Sequence, residues 1–386
     1  MASTTSRVVV IGGSNAGIGV CHGLLQQIPD ISVTLVNPSK EYYFNLAAPR
    51  FLAKSGLLPS SKYIYSITDV FSKYPCDRFR FLQGKATAID LKGQYVCVDN
   101  LTSSPLPYDY LVIASGSTTP AAVGRESFPA PFKVPLEGDL SAAIQRTQAA
   151  VDSAKTIIIG GAGPTGVEFA GEIAEAYGHD GAQKKITLVS GTDTVLAGLT
   201  PGVQDAAARL LRSKGVDLKT SSRVRKAEYN LKTKQWVVTL SAGEVLTADL
   251  FISAMGSVPN NDFIPQSLLN QEGWVDVDEH LRAKAPQRGA VPNVYALGDI
   301  TSFTDRLLLR IKPQVKTVVA NLKKDLTGEG SVSVYRPGDQ IRVMVIPVGR
   351  YTGTGLLGNW KMCGFMVSFF KGRDFLTSKA ASFIEG

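Results

Sequence analysis

Two glycine-rich turns of the same design, about 150 residues apart, restrict this chain more than any other feature of its sequence. In the first, the β-branched run Arg7-Val8-Val9-Val10-Ile11 gives way to Gly12-Gly13-Ser14-Asn15-Ala16-Gly17. A helical spacing follows at Ile18, Cys21, Leu24, Leu25 and Ile28, and a second apolar run over 32–36 ends at Asn37. Short continuous runs of this kind are strands buried on both faces, as in a parallel sheet. In the second, residues 156–159 lead into Gly160-Gly161-Ala162-Gly163-Pro164-Thr165-Gly166, a helix over 167–177 and a strand over 186–189. Strand, glycine turn, helix and strand form the setting in which Gly-x-Gly-x-x-Gly signals phosphate binding. The helix start offers unpaired N–H groups and the positive end of a dipole, and the glycines let the backbone close on a pyrophosphate. Two such units argue for two different dinucleotides, with a permanently bound flavin as a candidate for one of them.

The second turn carries all three fingerprint glycines, Gly161, Gly163 and Gly166, whereas the first has Ser14 at the middle position. Asn37 stands where an acid is expected to grip a ribose hydroxyl, and its amide oxygen can still accept a hydrogen bond. Gly12, Gly13, Ser14, Ala16, Gly17 and Asn37 are therefore expected around one cofactor. In the second unit the strand ends at Ser190-Gly191, with neither an acid favouring NAD nor an adjacent arginine, so NADH and NADPH both stay open. Three further strand patterns end in small residues: 109–114 at Ala114 and Gly116, 249–254 at Gly256, and 293–297 at Gly298-Asp299. The last sets a carboxylate at a strand's C-terminal end, where open α/β sheets bind ligands. Glycine makes up 37 of 386 residues, about one in ten against a usual share near 7%, and these turns account for part of the surplus.

Charge and cysteine usage narrow the function. The net charge of +8 is not gathered into a tract and suits anionic dinucleotides better than nucleic acid. Cys21, Cys76, Cys97 and Cys363 are too scattered for a disulfide framework or a zinc site, and His22, His179 and His280 are equally dispersed, so no metal is expected. No apolar run reaches the ~18–20 residues of a membrane span, and the start resembles no signal peptide. A cytoplasmic protein that visits a membrane surface at most is the expectation. Glu168, Glu172 and Glu175 fall at i, i+4 and i+7 of one helix stripe. Around Pro313, residues 310–316 read as a helix start with proline in the first turn, aiming its N-terminus at the flavin, with Lys312 or Gln314 as an added donor. Residues 343–349 read as a strand, 353–358 as a turn, and 360–370 as an apolar patch, packed on the core or forming an acceptor wall or membrane-touching face.

With these residues in place the chain resembles the two-dinucleotide, pyridine-nucleotide-dependent flavoprotein superfamily over nearly its whole length. Gly163-Pro-Thr-Gly-Val-Glu168-Phe-Ala-Gly-Glu172 is similar to the nicotinamide-site motif of type II NADH dehydrogenases. Tyr43-Phe-Asn45-Leu-Ala47-Ala48-Pro-Arg50 and the tail Ser368-Phe-Phe-Lys371-Gly-Arg373-Asp374-Phe375 resemble the apoptosis-inducing-factor-2, or ferroptosis-suppressor-protein-like, branch. The resemblance implies bound FAD, transient NADH or NADPH, and hydride transfer through the flavin to a quinone-like acceptor. It puts Gly298 and Asp299 at the FAD ribityl and pyrophosphate, Glu168 at the nicotinamide, and Lys371 near the flavin as a catalytic group. Asn45 and Arg50 follow as cofactor contacts and Glu172 as a group near the acceptor. The Cys-x-x-x-x-Cys pair of the superfamily's disulfide reductases is absent. Ala2 stands where N-myristoylation needs glycine, which turns the expectation towards a soluble acceptor.

The fold expected is α/β, with two Rossmann-like units: an FAD-binding domain over 1–120 and 257–328, an NAD(P)H-binding domain over 121–256 inserted in it, and a C-terminal segment over 329–386 closing on the flavin. Three functions fit: an NAD(P)H:quinone-type oxidoreductase, a redox tailoring enzyme acting on a specialised metabolite, and a flavin-bearing redox sensor or signalling protein. The acceptor and the oligomeric state have no signature in the sequence.

Overall fold

The computed structural model describes residues 5–101, 104–122, 126–135, 138–178, 184–285, 289–303, 306–339 and 341–385. The chain opens with β1 (Ser6–Ile11), α1 (Asn15–Gln27) and β2 (Ile31–Asn37), followed by α2 (Ala48–Ala53), β3 (Phe79–Gln83) and β4 (Tyr110–Ile113). Then come α3 (Leu140–Ser153), β5 (Thr156–Gly160), α4 (Pro164–Ala176), β6 (Lys185–Val189), α5 (Pro201–Ser213), β7 (Val216–Lys219) and β8 (Leu250–Ser253). The chain closes with β9 (Arg282–Ala285), β10 (Gly289–Ala296), α6 (Leu308–Thr327), β11 (Val343–Pro347), β12 (Gly353–Leu357), β13 (Trp360–Met362) and the short α7 (Gly364–Val367).

Two sheets carry the two glycine turns. The first runs β9-β10-β4-β1-β2-β3, and the second runs β7-β6-β5-β8. Strands β10, β4, β1, β2 and β3 run parallel to one another, with β9 antiparallel to β10 at the edge, and all four strands of the second sheet are parallel. Strand β10 thus returns the chain, after the second sheet, to the sheet it began in. Val8, Val9, Val10 and Ile11 are all buried, which is why β1 reads as a continuous apolar run instead of an alternating one. Each such side chain contributes about 1.5–3 kcal/mol of burial. Helix α1 covers this sheet and packs against α6. A Cβ on Gly23 would stand 2.6 Å from Val319 Cγ2 and one on Gly19 would stand 3.1 Å from Val315 Cγ2, so glycines let the two helices approach closely.

Two expectations need correction. Residues 353–358 do not form a turn: Gly353–Leu357 is the middle strand of an antiparallel sheet with β11 and β13. Its glycines are there because a Cβ at 353 or 355 would strike the carbonyl oxygen of Ile346 or Met344 on the paired strand, and one at 353 would also strike Val367. Nor does Pro313 open its helix, since α6 begins at Leu308 and holds the proline in its second turn. The proline there cannot donate the usual i+4 hydrogen bond to the Leu309 carbonyl, and Leu309 lies at an exposed position of the helix.

Candidate active site

At the first turn, Gly12 has φ +114°, and a Cβ there would run into the Ala114 carbonyl. A Cβ on Gly17 would collide with the Gly12 carbonyl oxygen. These two glycines are demanded by backbone meeting backbone. Gly13 donates its N–H to Asn37 Oδ1 at 2.8 Å, and Asn37 Nδ2 donates to the Ser39 carbonyl at 2.7 Å. Asn37 therefore holds the turn closed as well as lining the cavity beyond it. Ser14 stands at the start of α1 with no side-chain cap, so the first-turn N–H groups of the helix are not claimed by a capping side chain.

Those groups face a cavity of about 870 Å³, a size suited to a large cofactor. Gly12, Gly13, Ser14, Ala16, Asn37, Asn45, Ala114, Gly116, Gly298 and Asp299 line it from the first unit, and Glu168 and Gly256 from the second. Thr118 Oγ1 and Asn260 Oδ1 are buried at this wall without a hydrogen-bond partner. Orphaned polar atoms around a glycine-lined cradle fit a polar ligand such as FAD. At the far wall Asp299 is ion-paired with Lys133, whose Nζ lies 2.6 Å from Oδ2 and 2.5 Å from Ser117 Oγ. Gln314 is fully buried and accepts the Gly298 N–H at 2.7 Å, so it supports the cavity from behind while Pro313 stands off it.

The second turn repeats the design. Gly161 has φ +105°, and a Cβ on Gly166 would collide with the Gly161 carbonyl. Gly163 has open space where its Cβ would go and borders a smaller hollow of about 480 Å³ with Pro164, Thr165, Gly256 and Trp274. Arg306 stacks its guanidinium 3.7 Å from the Trp274 ring centroid at the rim. Ser190 was expected at the cofactor, but its Oγ turns inward and donates to the Thr194 carbonyl at 2.7 Å. A hydroxyl committed to its own loop has nothing left to donate to a ribose.

The glutamate stripe of α4 carries three ion pairs. Glu168 meets Lys371 at 2.6 Å, Glu172 meets Arg50 at 2.5 Å, and Glu175 meets Lys214 at 2.7 Å. The three cations come from the tail, α2 and the segment after α5, so like charges stacked along one helix are each neutralised by a different part of the chain. Burial pushes the Glu168 carboxyl above its ordinary range, with Lys371 pulling it back, and does the same to Glu172 against Arg50. Only Glu168 of the three reaches the cavity wall. Glu172 and Arg50, expected near acceptor and cofactor, are sealed away from it. Arg50 forks both Glu172 oxygens and donates to the carbonyls of Gly372 at 2.8 Å and Arg373 at 3.0 Å. Those carbonyls directly follow Lys371, which sits in a π-helical turn over Ser368–Gly372.

Sequence reasoning missed Lys133, Thr118, Asn260, Trp274 and Arg306. Lys133 lies in an irregular stretch after residue 120 where no periodicity marks one lysine above another, and the others sit on strand ends and loops brought together only by the fold.

The chain matches the sequence profile of the family described as pyridine nucleotide-disulphide oxidoreductase over residues 6–323. It is 34% identical over 368 residues to oxidoreductase ptaL of Pestalotiopsis fici, covering 94% of each chain. It is 28% identical to ferroptosis suppressor protein 1 of Homo sapiens, covering 96% of this chain and 94% of that one. Its fold superposes on the sulfide:quinone oxidoreductase of Aquifex aeolicus with a TM-score of 0.78 at 17% identity, over 99% of this chain and 93% of that one.

Proposed function

The chain belongs to the pyridine nucleotide-disulphide oxidoreductase family, and from that premise we propose that it is an FAD-dependent NAD(P)H oxidoreductase serving a quinone-like or other small organic acceptor. The observation that carries the reading is the position of Glu168. It starts from the helix behind the second glycine turn, ends at the wall of the cavity opened by the first, and is held there by Lys371 from the tail. FAD, when bound, supplies the hydride-accepting chemistry that lets electrons pass from a nicotinamide to a second molecule. The chain's part is to position and to move protons. Gly12, Gly13 and the start of α1 present N–H groups to an anionic pyrophosphate, and Thr118 and Asn260 offer unclaimed acceptors and donors. Lys133 holds the Asp299 carboxylate in place against the cavity wall. Glu168 and Lys371, buried and sharing a proton-bearing hydrogen bond, form a pair able to hold or release a proton at the carboxylate Oε1. With no closely spaced cysteine pair in the sequence, thiol–disulfide exchange is not part of this reading.

A second reading, reduction of a specialised small metabolite, draws on ptaL, which is more identical to this chain than the human relative is. Peripheral contact with a membrane is the reading supported by Trp360, Phe365 and Phe369, exposed at 82%, 73% and 65% around the tail. No helix among the described residues is long and apolar enough to cross a membrane.

Purified protein should be yellow, bleach on anaerobic addition of NADH or NADPH, and recover its colour on addition of a quinone. Protein that stays colourless after reconstitution with FAD would overturn the enzymatic reading, and bleaching that no quinone reverses would shift it to the specialised acceptor.

A further inference from the structure

The geometry points to a 2′-phosphate subsite beside Gly191, in which Arg223 makes the second nucleotide site one for NADPH. This rests on the reading of Gly160–Gly166 as the nicotinamide-nucleotide turn. In a unit of this kind the adenosine ribose lies at the end of the strand after the glycine helix, and an acid there holds the free 2′ and 3′ hydroxyls of NAD. Here that strand is β6, and its last residue is tied to the turn itself, since Gly161 donates its N–H to the Val189 carbonyl at 2.9 Å. The next two residues are Ser190, whose hydroxyl is committed to its own loop, and Gly191, which has no side chain.

What fills the space is Arg223. Ser222 donates its N–H to the Ser190 carbonyl at 2.8 Å and Ser221 donates to the Thr192 carbonyl at 2.7 Å, which pins the segment before Arg223 against the strand end. A Cβ on residue 191 would stand 2.8 Å from Arg223 Cγ and 3.4 Å from its Nε. Glycine is therefore the residue that lets the arginine stem cross this strand end, and any acid substituted there would displace it. Arg223 is exposed and forms no ion pair among the described residues, while the lysines on either side of it, Lys219 and Lys226, are paired with Glu244 and Glu228. Arg225 is exposed close by and Asp193 is the loop's own carboxylate, also exposed. A free guanidinium where a carboxylate is missing suits a phosphate dianion, which it can grip with two parallel N–H bonds, and gives a bare ribose diol nothing to donate to.

Isothermal titration of the flavin-loaded protein with NADP⁺ and with NAD⁺ at low salt tests this without turnover. NADP⁺ should bind about tenfold or more tighter, because one charge-assisted contact is worth that ratio. Arg223→Gln should bring the two affinities within about twofold by weakening NADP⁺ alone, and rising salt should narrow the gap in the parent protein. Equal or tighter binding of NAD⁺, or an Arg223→Gln variant that weakens both equally or neither, would overturn the subsite and leave the nucleotide turn standing. Binding of neither nucleotide would overturn both. Gly191→Asp, at an exposed position, is the second variant: it should reverse the preference towards NAD⁺, and retained NADP⁺ preference would count against the subsite.

Discussion

The two glycine turns are nearly superposable in their constraints and differ in what surrounds them. Each has a first glycine at positive φ, +114° at Gly12 and +105° at Gly161, and each has a last glycine whose Cβ would strike the carbonyl of the first. Those positions are set by backbone against backbone and are the same whatever is bound. The middle position is not: Gly163 has open space around it, and Ser14 occupies its counterpart without distorting the turn. The surroundings diverge further. The first turn opens into a cavity of about 870 Å³ walled by both units, the second into a hollow of about 480 Å³ near the surface. A deeper site favours slow release and a more open one favours exchange, so the difference suits the proposed pairing of a resident flavin with a transient nicotinamide nucleotide.

Substituting the last glycine of each turn should separate the two most sharply. Gly17→Ala forces Gly12 and α1 apart, at a cost above about 4 kcal/mol, in the range where a single change unfolds a domain. The variant should express without flavin colour and melt far below the parent. Gly166→Ala carries the same collision in the second unit and should retain the colour while losing bleaching by either nucleotide. If the two variants lose colour equally, the units are not separable in this way.

The glutamate stripe of α4 offers the next contrast, two buried pairs against a partly exposed one. Lys371→Ala leaves Glu168 buried without its cation, and Arg50→Ala does the same to Glu172 and also frees two carbonyls beside Lys371. Each should lower stability by about 3–5 kcal/mol in chemical denaturation, whereas Lys214→Ala, at a pair more than 20% exposed on average, should cost under about 1 kcal/mol. Lys371→Ala should keep its flavin and turn over at least about tenfold slower, with the acid limb of its pH profile moved upward because the cation that lowers the Glu168 pKa is gone. Unchanged turnover would remove Lys371 from the active site. Because the folded protein holds the Glu168 proton more tightly than the unfolded chain does, this group's contribution to stability is present at low pH and is lost as pH rises through its folded value. Glu168→Gln lacks that loss, so its melting temperature relative to the parent should rise with pH, and a constant gap would show that the Glu168 carboxyl is not raised.

Much of this arrangement is legible in the sequence because it is local. β1, β5 and both glycine turns announce themselves through runs of valine and isoleucine that end in glycine, and the periodicity of α4 puts its three glutamates on one face. What fails to show is whatever depends on segments distant in the chain. Arg50 looks like a cofactor contact beside Asn45, and only the fold shows that it reaches 322 residues ahead to the Gly372 carbonyl. Lys133 and Arg223 carry no periodic or motif signal, since each matters through a partner, Asp299 or Gly191, that no local pattern connects to it. The strand at 353–357 is misread for the opposite reason: its glycines are present for interstrand crowding, and glycine in a sequence more commonly marks a turn.

The middle position of the turn gives the smallest effect and the finest test of the contrast. Gly163→Ala adds a Cβ into open space at an ordinary backbone angle of φ −73°, so folding stability should change by less than about 0.5 kcal/mol. The same methyl borders the hollow of the second turn, where a pyrophosphate would approach the backbone most closely. The expected outcome is an unaltered melting curve and flavin spectrum with a KM for the nicotinamide nucleotide raised about tenfold, the cost of holding a phosphate off one N–H. Ser14→Gly at the corresponding place in the first turn should leave flavin content unchanged, because the first turn already accepts a side chain there. A Gly163→Ala variant with an unchanged KM would mean that the open space at Gly163 is not where the nucleotide comes closest, and that the resemblance of the two turns is one of fold alone.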